Sequence, residues 1–468
     1  MKRRRSKAVL AAAVGAAVSM GVSVAVVAAP TAAAQPQSGP SARIIVGYRA
    51  GAAAAVSDTA AAQDAGRKSS RAQGKLLRRL STGAALVEVA DGSSVASVMA
   101  AYRSDPAVAY VEPDLVVQPL AAPNDTEYGK QWDLYEPTAG MNVPGAWDQT
   151  TGTGVTVAVI DTGYVAHSDL AGQVVAGYDF ISDASNAKDG NGRDADPSDP
   201  GDSAGYFECF LQPSHSSSWH GTHVAGTIAA ATNNGKGVAG IAFGAKVQPV
   251  RVLGRCGGAT SDIADAITWA SGGTVSGVPA NRTPAKVINL SLGGQSSCLA
   301  TYQNAINGAV SRGTTVVVAA GNSNADVSGF TPANCNNVVA VAASNRAGNR
   351  AFYSNFGAKI DVTAPGGETR RETDASGTTT TPENGILSTL NSGATTPAAE
   401  TYKPYMGTSM AAPHVAGLVA LMVAKKPALT PATVESLLKA NTRPLPGTCT
   451  GGCGTGLVDA TKTVQAVS

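Results

Sequence analysis

Charged residues are scarce in this chain of 468 residues, and neither sign of charge is in large excess. Lys, Arg, Asp and Glu make up 15% of the sequence, and 35 basic residues stand against 33 acidic ones. Subtracting the 14 basic and 7 acidic residues of positions 1–120 leaves positions 121–468 with a net charge of −5. Binding to a phosphate backbone needs clustered positive charge, so we expect no nucleic-acid partner.

We also expect no second apolar run long enough to span a bilayer. The chain begins MKRRRSK, continues with an Ala- and Val-rich stretch, and reaches three alanines at residues 32–34 that suit a signal peptidase. This order is typical of a secretory signal. A transmembrane anchor is the alternative, but the stretch is Ala-rich and interrupted by glycine. We therefore predict a signal peptide over residues 1–34 and a secreted mature protein with no membrane partner.

Cysteine is absent from the first 208 residues of the chain. An even number of cysteines on a secreted chain predicts disulfides, here three, and the sequence alone permits 15 pairings. None of the cysteines lies in the motifs described below, which argues against a reactive catalytic thiol. The six are Cys209, Cys256, Cys298, Cys335, Cys449 and Cys453.

One serine stands among small residues in the segment 407–417, GTSMAAPHVAG. Gly407 permits a tight turn and the Ala-rich continuation favours a helix, so Ser409 is expected at a helix N-terminus. Free backbone N–H groups there are available to stabilise an oxyanion. We expect Pro413 in the first turn of this helix, where its missing N–H costs nothing. The simpler alternative is a serine that only caps the helix.

Two more motifs place an aspartate and a histidine at the ends of structural elements. Segment 153–163, TGVTVAVIDTG, is a nearly continuous apolar run that predicts a strand buried on both faces and ending at Asp161. Ligands of α/β proteins bind at this end of a parallel strand. Segment 219–227, WHGTHVAGT, puts His220 at the start of a helix of small residues. His223 on that helix and His414 beside the serine are expected to be structural.

Taken in the chain order Asp, His, Ser, the three motifs resemble those of the subtilisin-like serine peptidases, the subtilases. The resemblance covers roughly residues 122–460. It implies that Asp161 orients the imidazole, that His220 acts as general base and then general acid, and that Ser409 attacks the scissile carbonyl. A fourth segment, 315–322, TVVVAAGN, puts Asn322 where the family has the side-chain donor of its oxyanion hole.

The resemblance also implies where the substrate binds. Segment 287–294, VINLSLGG, and residues 319–321 flank the family's pocket for the side chain before the scissile bond, and the first pairs with the extended substrate. Their small residues and the absence of acidic ones predict a preference for large apolar side chains. The expected substrate-binding residues are Ser291, Leu292, Gly293, Ala319, Ala320 and Gly321.

Residues 35–120 form a separate unit. Strands are expected at 43–48, 84–89 and 109–114, with a helix at 94–102, and the basic segment 67–79 reads as the solvated face of another helix. The order β, α, β, α, β suits a ferredoxin-like α+β unit. By resemblance it is the propeptide, a chaperone and inhibitor of its own enzyme, whose exit at residues 116–120 lies in the active-site cleft.

An acidic segment lies between the Asp and His motifs. Carboxylates and amides packed this closely repel one another unless a hard cation neutralises them, and several subtilases bind calcium here, so we expect structural Ca²⁺ and no organic cofactor. A solvated acidic loop is the alternative. The expected ligands are Asp189, Asn191, Asp194, Asp196, Asp199 and Asp202.

The sequence thus predicts a secreted, monomeric serine endopeptidase made as a self-maturing proenzyme. The expected fold is α/β: a subtilisin-like three-layer α/β/α domain with a mostly parallel sheet over residues 121–468, preceded by the propeptide. Resemblance favours the disulfides Cys209–Cys256, Cys298–Cys335 and Cys449–Cys453. One alternative is a pseudoenzyme that keeps the fold as a binding module, although no motif is broken. The other, an esterase-type α/β-hydrolase, needs its serine before its histidine in the chain.

Overall fold

The computed structural model describes residues 43–68, 75–89, 94–114, 122–209 and 213–468. The chain divides into two compact units between Pro119 and Leu120. The predicted signal peptide, residues 1–34, and the predicted propeptide exit, residues 116–120, lie outside the described residues.

The N-terminal unit is a four-stranded antiparallel sheet with two main helices. Strand β2 lies at one edge, and the strand order is β2-β3-β1-β4. Ile44 and Val46 of the first strand are buried against Ala61 of the first long helix and Tyr102 of the second. The elements are β1 (Arg43–Tyr48), α1 (Ala53–Val56), α2 (Asp58–Lys68), β2 (Lys75–Arg79), β3 (Ala85–Glu88), α3 (Val95–Arg103) and β4 (Val108–Pro113).

The ferredoxin-like fold predicted for this unit is confirmed, but the prediction for its basic segment is wrong. Arg67 and Lys68 end helix α2, whereas Lys75–Arg79 form strand β2 rather than a helix face. An edge strand has one unpaired side and limited burial, so β2 lacks the clear alternation of apolar and polar residues that reveals a strand. The unit therefore has one strand more than the sequence indicates.

The C-terminal unit is built on seven parallel strands in the order β13-β12-β10-β8-β5-β7-β6. These strands are β5 (Thr156–Asp161), β6 (Tyr178–Asp179), β7 (Lys246–Arg251), β8 (Val287–Leu290), β10 (Thr315–Ala319), β12 (Val339–Ser344) and β13 (Val362–Pro365). Two antiparallel pairs accompany them: β9 (Gly294–Gln295) with β11 (Phe330–Thr331), and β14 (Ile386–Asn391) with β15 (Glu400–Tyr405).

Helices cover both faces of this sheet, which confirms the predicted α/β/α layers. Val157 and Val159 of β5 pack on the side of α7 and α10, while Ala158 and Ile160 pack on the side of α8 and α9. The continuous apolar run of β5 follows from this burial on both faces. The helices are α4 (Trp132–Tyr135), α5 (Pro144–Trp147), α6 (Ala184–Ala187), α7 (His220–Ala229), α8 (Thr260–Ala270), α9 (Ala300–Ser311), α10 (Thr408–Lys425), α11 (Pro431–Ala440) and α12 (Ala460–Gln465).

Helix α10 is the central helix of the core. Among the described residues it is the one helix long and apolar enough to cross a membrane, so the expectation that no second run reaches this length is wrong. Since 83% of the helix is buried inside the fold, its apolar composition is that of a core helix. It begins at Thr408, so Pro413 is its sixth residue and lies in the helix interior. The expectation that Pro413 belongs to the first turn is therefore wrong.

The interior position of Pro413 has a local consequence at Ser409. A proline has no N–H, so the carbonyl four residues earlier, that of Ser409, loses its helical hydrogen bond. The hydroxyl of Ser291 donates to this carbonyl instead, at 2.8 Å. The first turn of α10 is thus linked to the segment that follows β8.

The six cysteines form three disulfides in the structure. The pairs are Cys209–Cys256, Cys298–Cys335 and Cys449–Cys453, which is the pairing that the resemblance implies. The first joins the loop before the His motif to the loop that follows β7. That second loop lines the cleft described below.

Candidate active site

Asp161 is the last residue of β5 and is completely buried. Its Oδ1 accepts a hydrogen bond from the backbone N–H of Thr162 at 2.8 Å. The hydroxyl of Thr162 in turn accepts from the N–H of Gly221 at 3.0 Å. The strand end is therefore connected directly to the first turn of α7, which carries the histidine.

His220 begins α7 and faces this carboxylate. Its Nδ1 lies 2.8 Å from Oδ1 and 3.0 Å from Oδ2 of Asp161. A carboxylate accepts, so Nδ1 donates and Nε2 is left as the basic nitrogen. Gly221 makes this approach possible, because a Cβ at that position would lie 2.1 Å from the carbonyl oxygen of Gly163.

The backbone before His220 is held in an uncommon conformation. Trp219 has φ of 51°, the left-handed region that bulky residues rarely adopt. Its side chain is buried, and the indole N–H donates to the carbonyl of Gly393 at 2.8 Å. The surrounding packing thus fixes the direction in which the chain enters α7.

The electrostatic surroundings of His220 favour its charged form. Burial by itself lowers the pKa of an imidazole, but the carboxylate of Asp161 raises it, and Asp202 and Asp199 add to the increase. The pKa of His220 is consequently raised above its ordinary value of 6.5. An imidazole in this setting is a stronger base than a free histidine.

Ser409 is the second residue of α10, at the N-terminus that the sequence predicts. Its Oγ donates to the carbonyl oxygen of Ser291 at 3.2 Å. The link is reciprocal, since the Ser291 hydroxyl donates to the Ser409 carbonyl. The serine thus lies between the helix N-terminus and the segment after β8.

Asn322 lies three residues beyond the end of β10, and its side chain is held by Thr408. Its Oδ1 accepts from the backbone N–H of Thr408 at 2.8 Å and from the Thr408 hydroxyl at 2.9 Å. That hydroxyl also accepts from the N–H of Gly321 at 3.0 Å. Because both donors act on Oδ1, the Nδ2 amino group of Asn322 stays available to donate.

One pocket of about 370 Å³ brings the predicted substrate-binding residues together with Ser409 and Asn322. No charged side chain is among the described residues that line it. Phe330 and Ala333 complete an apolar wall. The predicted residues in this lining are Ser291, Leu292, Gly293, Ala319, Ala320 and Gly321.

A second pocket, of about 550 Å³, shares the wall of residues 291–295 and lies on the side of His220. Leu253, Ile263 and Tyr302 give it apolar surface. Asp202 and Ser218 line the same pocket next to the histidine. The two pockets adjoin at the segment that follows β8, and we refer to them together as the cleft.

Five of the six residues predicted to bind calcium line one cavity of about 710 Å³, and Asp202 does not. Several of their side chains already have partners within the protein. Asp189 pairs with Arg251 at 2.6 Å, and Asp194 accepts from Asn191 at 2.6 Å. Asp202 is turned toward Ser218 and the cleft. In the part of the chain that the structure describes, no group of three or more His, Cys, Asp or Glu side chains is arranged to hold a metal ion. The six-residue calcium site therefore stays a prediction, with Asp202 apart from the other five residues.

The two remaining motif histidines have structural surroundings. Burial and the nearby charge of His220 lower the pKa of His223 to about 3, so it stays neutral while its Nε2 donates to the carbonyl of Ile386 at 3.0 Å. Both ring nitrogens of His414 face acceptors, with Nε2 2.9 Å from Oδ2 of the buried Asp133.

Comparison with known proteins identifies the family. The family model described as "Subtilase family" matches residues 152–457. This chain belongs to the subtilase family. It is a subtilisin-like serine peptidase. A second model, the fervidolysin N-terminal prodomain, matches residues 29–114, which include the described antiparallel unit.

Relatives of this subtilase are named proteases. It is 54% identical over 437 residues to the extracellular protease of Xanthomonas campestris pv. campestris, covering 91% of this chain and 72% of the relative. It is 44% identical over 380 residues to the extracellular basic protease of Dichelobacter nodosus, covering 79% of this chain but 60% of that protein. A solved protease structure from Pseudoalteromonas arctica shares 57% identity at a TM-score of 0.71, covering 74% of this chain and 100% of the other.

Sequence reasoning misses three residues that shape the site of this subtilase. Thr408 stands inside the serine motif, yet nothing in its spacing shows that it holds Asn322. Trp219 gives no signal of a left-handed backbone. Ser218 joins Asp202 to the His220 segment through contacts 16 and 2 residues apart in the chain. The contact of Ser218 with Asp202 forms only in the folded chain.

Proposed function

We propose that this subtilase hydrolyses peptide bonds through Asp161, His220 and Ser409 by way of an acyl-enzyme. The observation that carries the proposal is the pairing of His220 Nδ1 with Asp161, because it leaves Nε2 free to act as the base. In a helix N-terminus, Ser409 lies where backbone N–H groups favour negative charge. The pseudoenzyme alternative finds no support, since the named relatives are proteases.

His220 transfers one proton during acylation of Ser409 and one during deacylation. Nε2 takes the proton of Ser409 Oγ as the oxygen attacks the carbonyl carbon, and it returns that proton to the leaving amine when the C–N bond breaks. A water molecule then attacks the ester of the acyl-enzyme, and His220 carries out the same two proton transfers. Ser409 Oγ now points to the Ser291 carbonyl, so rotation about its Cα–Cβ bond precedes the first transfer.

The oxyanion is stabilised by two donors in this proposal. Asn322 and Ser409 both line the pocket in which the carbonyl oxygen would lie, and we assign the donors to the Nδ2 of Asn322 and the backbone N–H of Ser409. Thr408 fixes the amide so that no rotation is needed when charge develops on the oxygen. Preorganised donors of this kind lower the barrier because they do not reorient during the reaction.

The specificity follows from the pocket of about 370 Å³. Since uncharged walls would leave a lysine, arginine or carboxylate side chain without a partner, we propose a preference for large apolar residues before the scissile bond. The substrate would add as an extended strand along residues 291–294. Proteins with exposed loops are therefore the substrate class, and the enzyme acts as an endopeptidase.

Maturation and location complete the proposal. We assign residues 1–34 to a signal peptide, 35–120 to an inhibitory propeptide and 121–468 to the peptidase domain. The prodomain match and the relatives' description as extracellular support this assignment. The enzyme would be secreted as a proenzyme, remove its own propeptide and act as a monomer.

We also propose a structural Ca²⁺ ion, with fewer protein ligands than the six predicted from the sequence. It would bind in the cavity of about 710 Å³ beside Asp199. Asp199 is buried, its Oδ1 accepts from the backbone N–H of Gly201, and its Oδ2 has no hydrogen-bond partner among the residues that the structure describes. An unpaired buried carboxylate oxygen is unfavourable unless positive charge compensates it. In this proposal the ion binds to Asp199, in the cavity that Asp194 and Asp196 also line.

The direct functional test is hydrolysis of a chromogenic peptide with an apolar residue before the scissile bond. Ser409→Ala and His220→Ala should each lower turnover by about a millionfold, the loss known for subtilisin itself. Ser311→Ala is the control, because Ser311 is an exposed helical serine outside the cleft. Turnover of folded Ser409→Ala close to that of the control would refute the assignment.

A further inference from the structure

Asp202 places an uncompensated carboxylate in the substrate cleft, next to the catalytic histidine. Its side chain is partly exposed and lines the pocket of about 550 Å³ that also contains His220. The ion pairs of this pocket join His220 to Asp161 and Arg255 to Glu208. Within the described ranges of the chain no ion pair includes Asp202, so its negative charge is open toward the cleft.

The position of this carboxylate is fixed by Ser218. The backbone N–H of Ser218 donates to Oδ1 at 2.6 Å, and the Ser218 hydroxyl donates to Oδ2 at 2.7 Å. Ser218 is itself anchored, because its carbonyl accepts from the hydroxyl of Tyr405 at 2.8 Å. The same Ser218 hydroxyl accepts from the N–H of His220 at 3.3 Å. The carboxylate is therefore held at a set place beside the histidine.

The geometry of an extended substrate decides which of its side chains meets Asp202. Successive side chains of a strand point to opposite faces. If one side chain enters the pocket lined by Ala319, Ala320 and Gly321, the residue immediately before it points away from that pocket, toward His220 and Leu253. That preceding residue is the one that faces the carboxylate.

We propose that Asp202 is a specificity-determining residue that selects a lysine or arginine at the substrate position immediately preceding the apolar residue of the scissile bond. This inference rests on the proposed peptidase function. The aliphatic part of a lysine or arginine would pack against Leu253 while its charged end reaches Asp202. The apolar residue and the cation together define a two-residue recognition rule.

The test compares two peptides that differ only at this position, one with lysine and one with norleucine. For the wild-type enzyme at low salt we expect kcat/KM to be roughly fivefold higher with lysine, the size of a partly exposed ion pair. The ratio should fall toward one as ionic strength rises. It should also fall to about one in Asp202→Asn, while Asp148→Asn, at an exposed helix end outside the cleft, keeps the wild-type ratio as a charge-matched control.

The possible outcomes separate a failure of the inference about Asp202 from a failure of the proposed peptidase function. If the wild type cleaves neither peptide, the peptidase proposal fails. If it cleaves both equally at low salt, or if Asp202→Asn keeps the lysine preference, the inference about Asp202 fails and the peptidase proposal stands. A cation preference found only at the position after the scissile bond would also overturn it. The wild-type salt series decides the matter even if the variant does not fold.

Discussion

The carboxamide oxygen of Asn322 accepts two hydrogen bonds from Thr408, one from its backbone N–H at 2.8 Å and one from its hydroxyl at 2.9 Å. Thr408 directly precedes the proposed nucleophile, Ser409. The residue that orients the oxyanion donor therefore belongs to the same helical turn as the nucleophile. A displacement of this turn would move both groups together.

A first prediction concerns this pair. Asn322→Ala should lower kcat by about 100- to 1000-fold with little change in KM, as known for subtilisin, because the amide acts mainly on the developing oxyanion. Thr408→Val should lower kcat by roughly tenfold, since Asn322 loses a hydrogen bond that orients it. Thr408→Ser keeps the hydroxyl and should remain near wild type. Steady-state kinetics on one peptide check all three, and a loss expressed only in KM would contradict the proposed role.

A second prediction concerns pH. Only neutral His220 accepts the serine proton, so protonation inactivates the enzyme. Because Asp161 raises the pKa of His220 above 6.5, the imidazole stays protonated to a higher pH, and the acid limb of kcat/KM moves in the alkaline direction. We expect a neutral-to-alkaline optimum in a pH profile measured with an uncharged peptide. An acid limb well below the ordinary histidine pKa would contradict the assignment of the base.

A third prediction concerns calcium. If an ion compensates Asp199, a chelator should remove stabilisation that depends on binding to the native state, and thermal inactivation should accelerate. Half-lives with EDTA and with excess Ca²⁺ should therefore differ for the wild type and converge for Asp199→Asn. Asp148→Asn, a change at an exposed helix end, should behave as the wild type. Equal wild-type half-lives in both buffers would rule out the site beside Asp199.

A fourth prediction concerns maturation. If the first cleavage is intramolecular, proximity makes it faster than any encounter between molecules. In a protease-deficient host, Ser409→Ala should accumulate as a precursor of residues 35–468, while the active enzyme begins within a few residues of Ala121. Mass spectrometry and N-terminal sequencing measure both. Prompt maturation of Ser409→Ala in that host would show that another protease cuts the chain.

The sequence predicts the parts of the fold that are buried on two faces. The apolar run of β5 is long because Val157 and Ile160 lie on opposite sides of the sheet, and it ends at Asp161 as expected. The edge strand β2 escapes detection because its Leu77 is exposed. A pattern of burial reveals an element only where the element is buried.

The acidic segment shows the other limit. Its composition suggests a single ligand set, but the partners of its side chains come from distant elements. Arg251 at the end of β7 forms an ion pair with Asp189, and Ser218 donates a hydrogen bond to Asp202. The composition of a segment gives the number of its charged residues but does not show which residues contact them in the fold. The sequence therefore indicates the chemistry of the segment but not how its side chains are distributed.

The central claim is that Ser409 is the nucleophile activated by His220. Labelling with a fluorophosphonate, which reacts with an activated serine, followed by peptide mapping tests it most directly. The account predicts one adduct on Ser409 of the mature wild-type enzyme, strongly slowed labelling in His220→Ala and none at this position in Ser409→Ala. An adduct on a different residue, or undiminished labelling of folded Ser409→Ala, would contradict it.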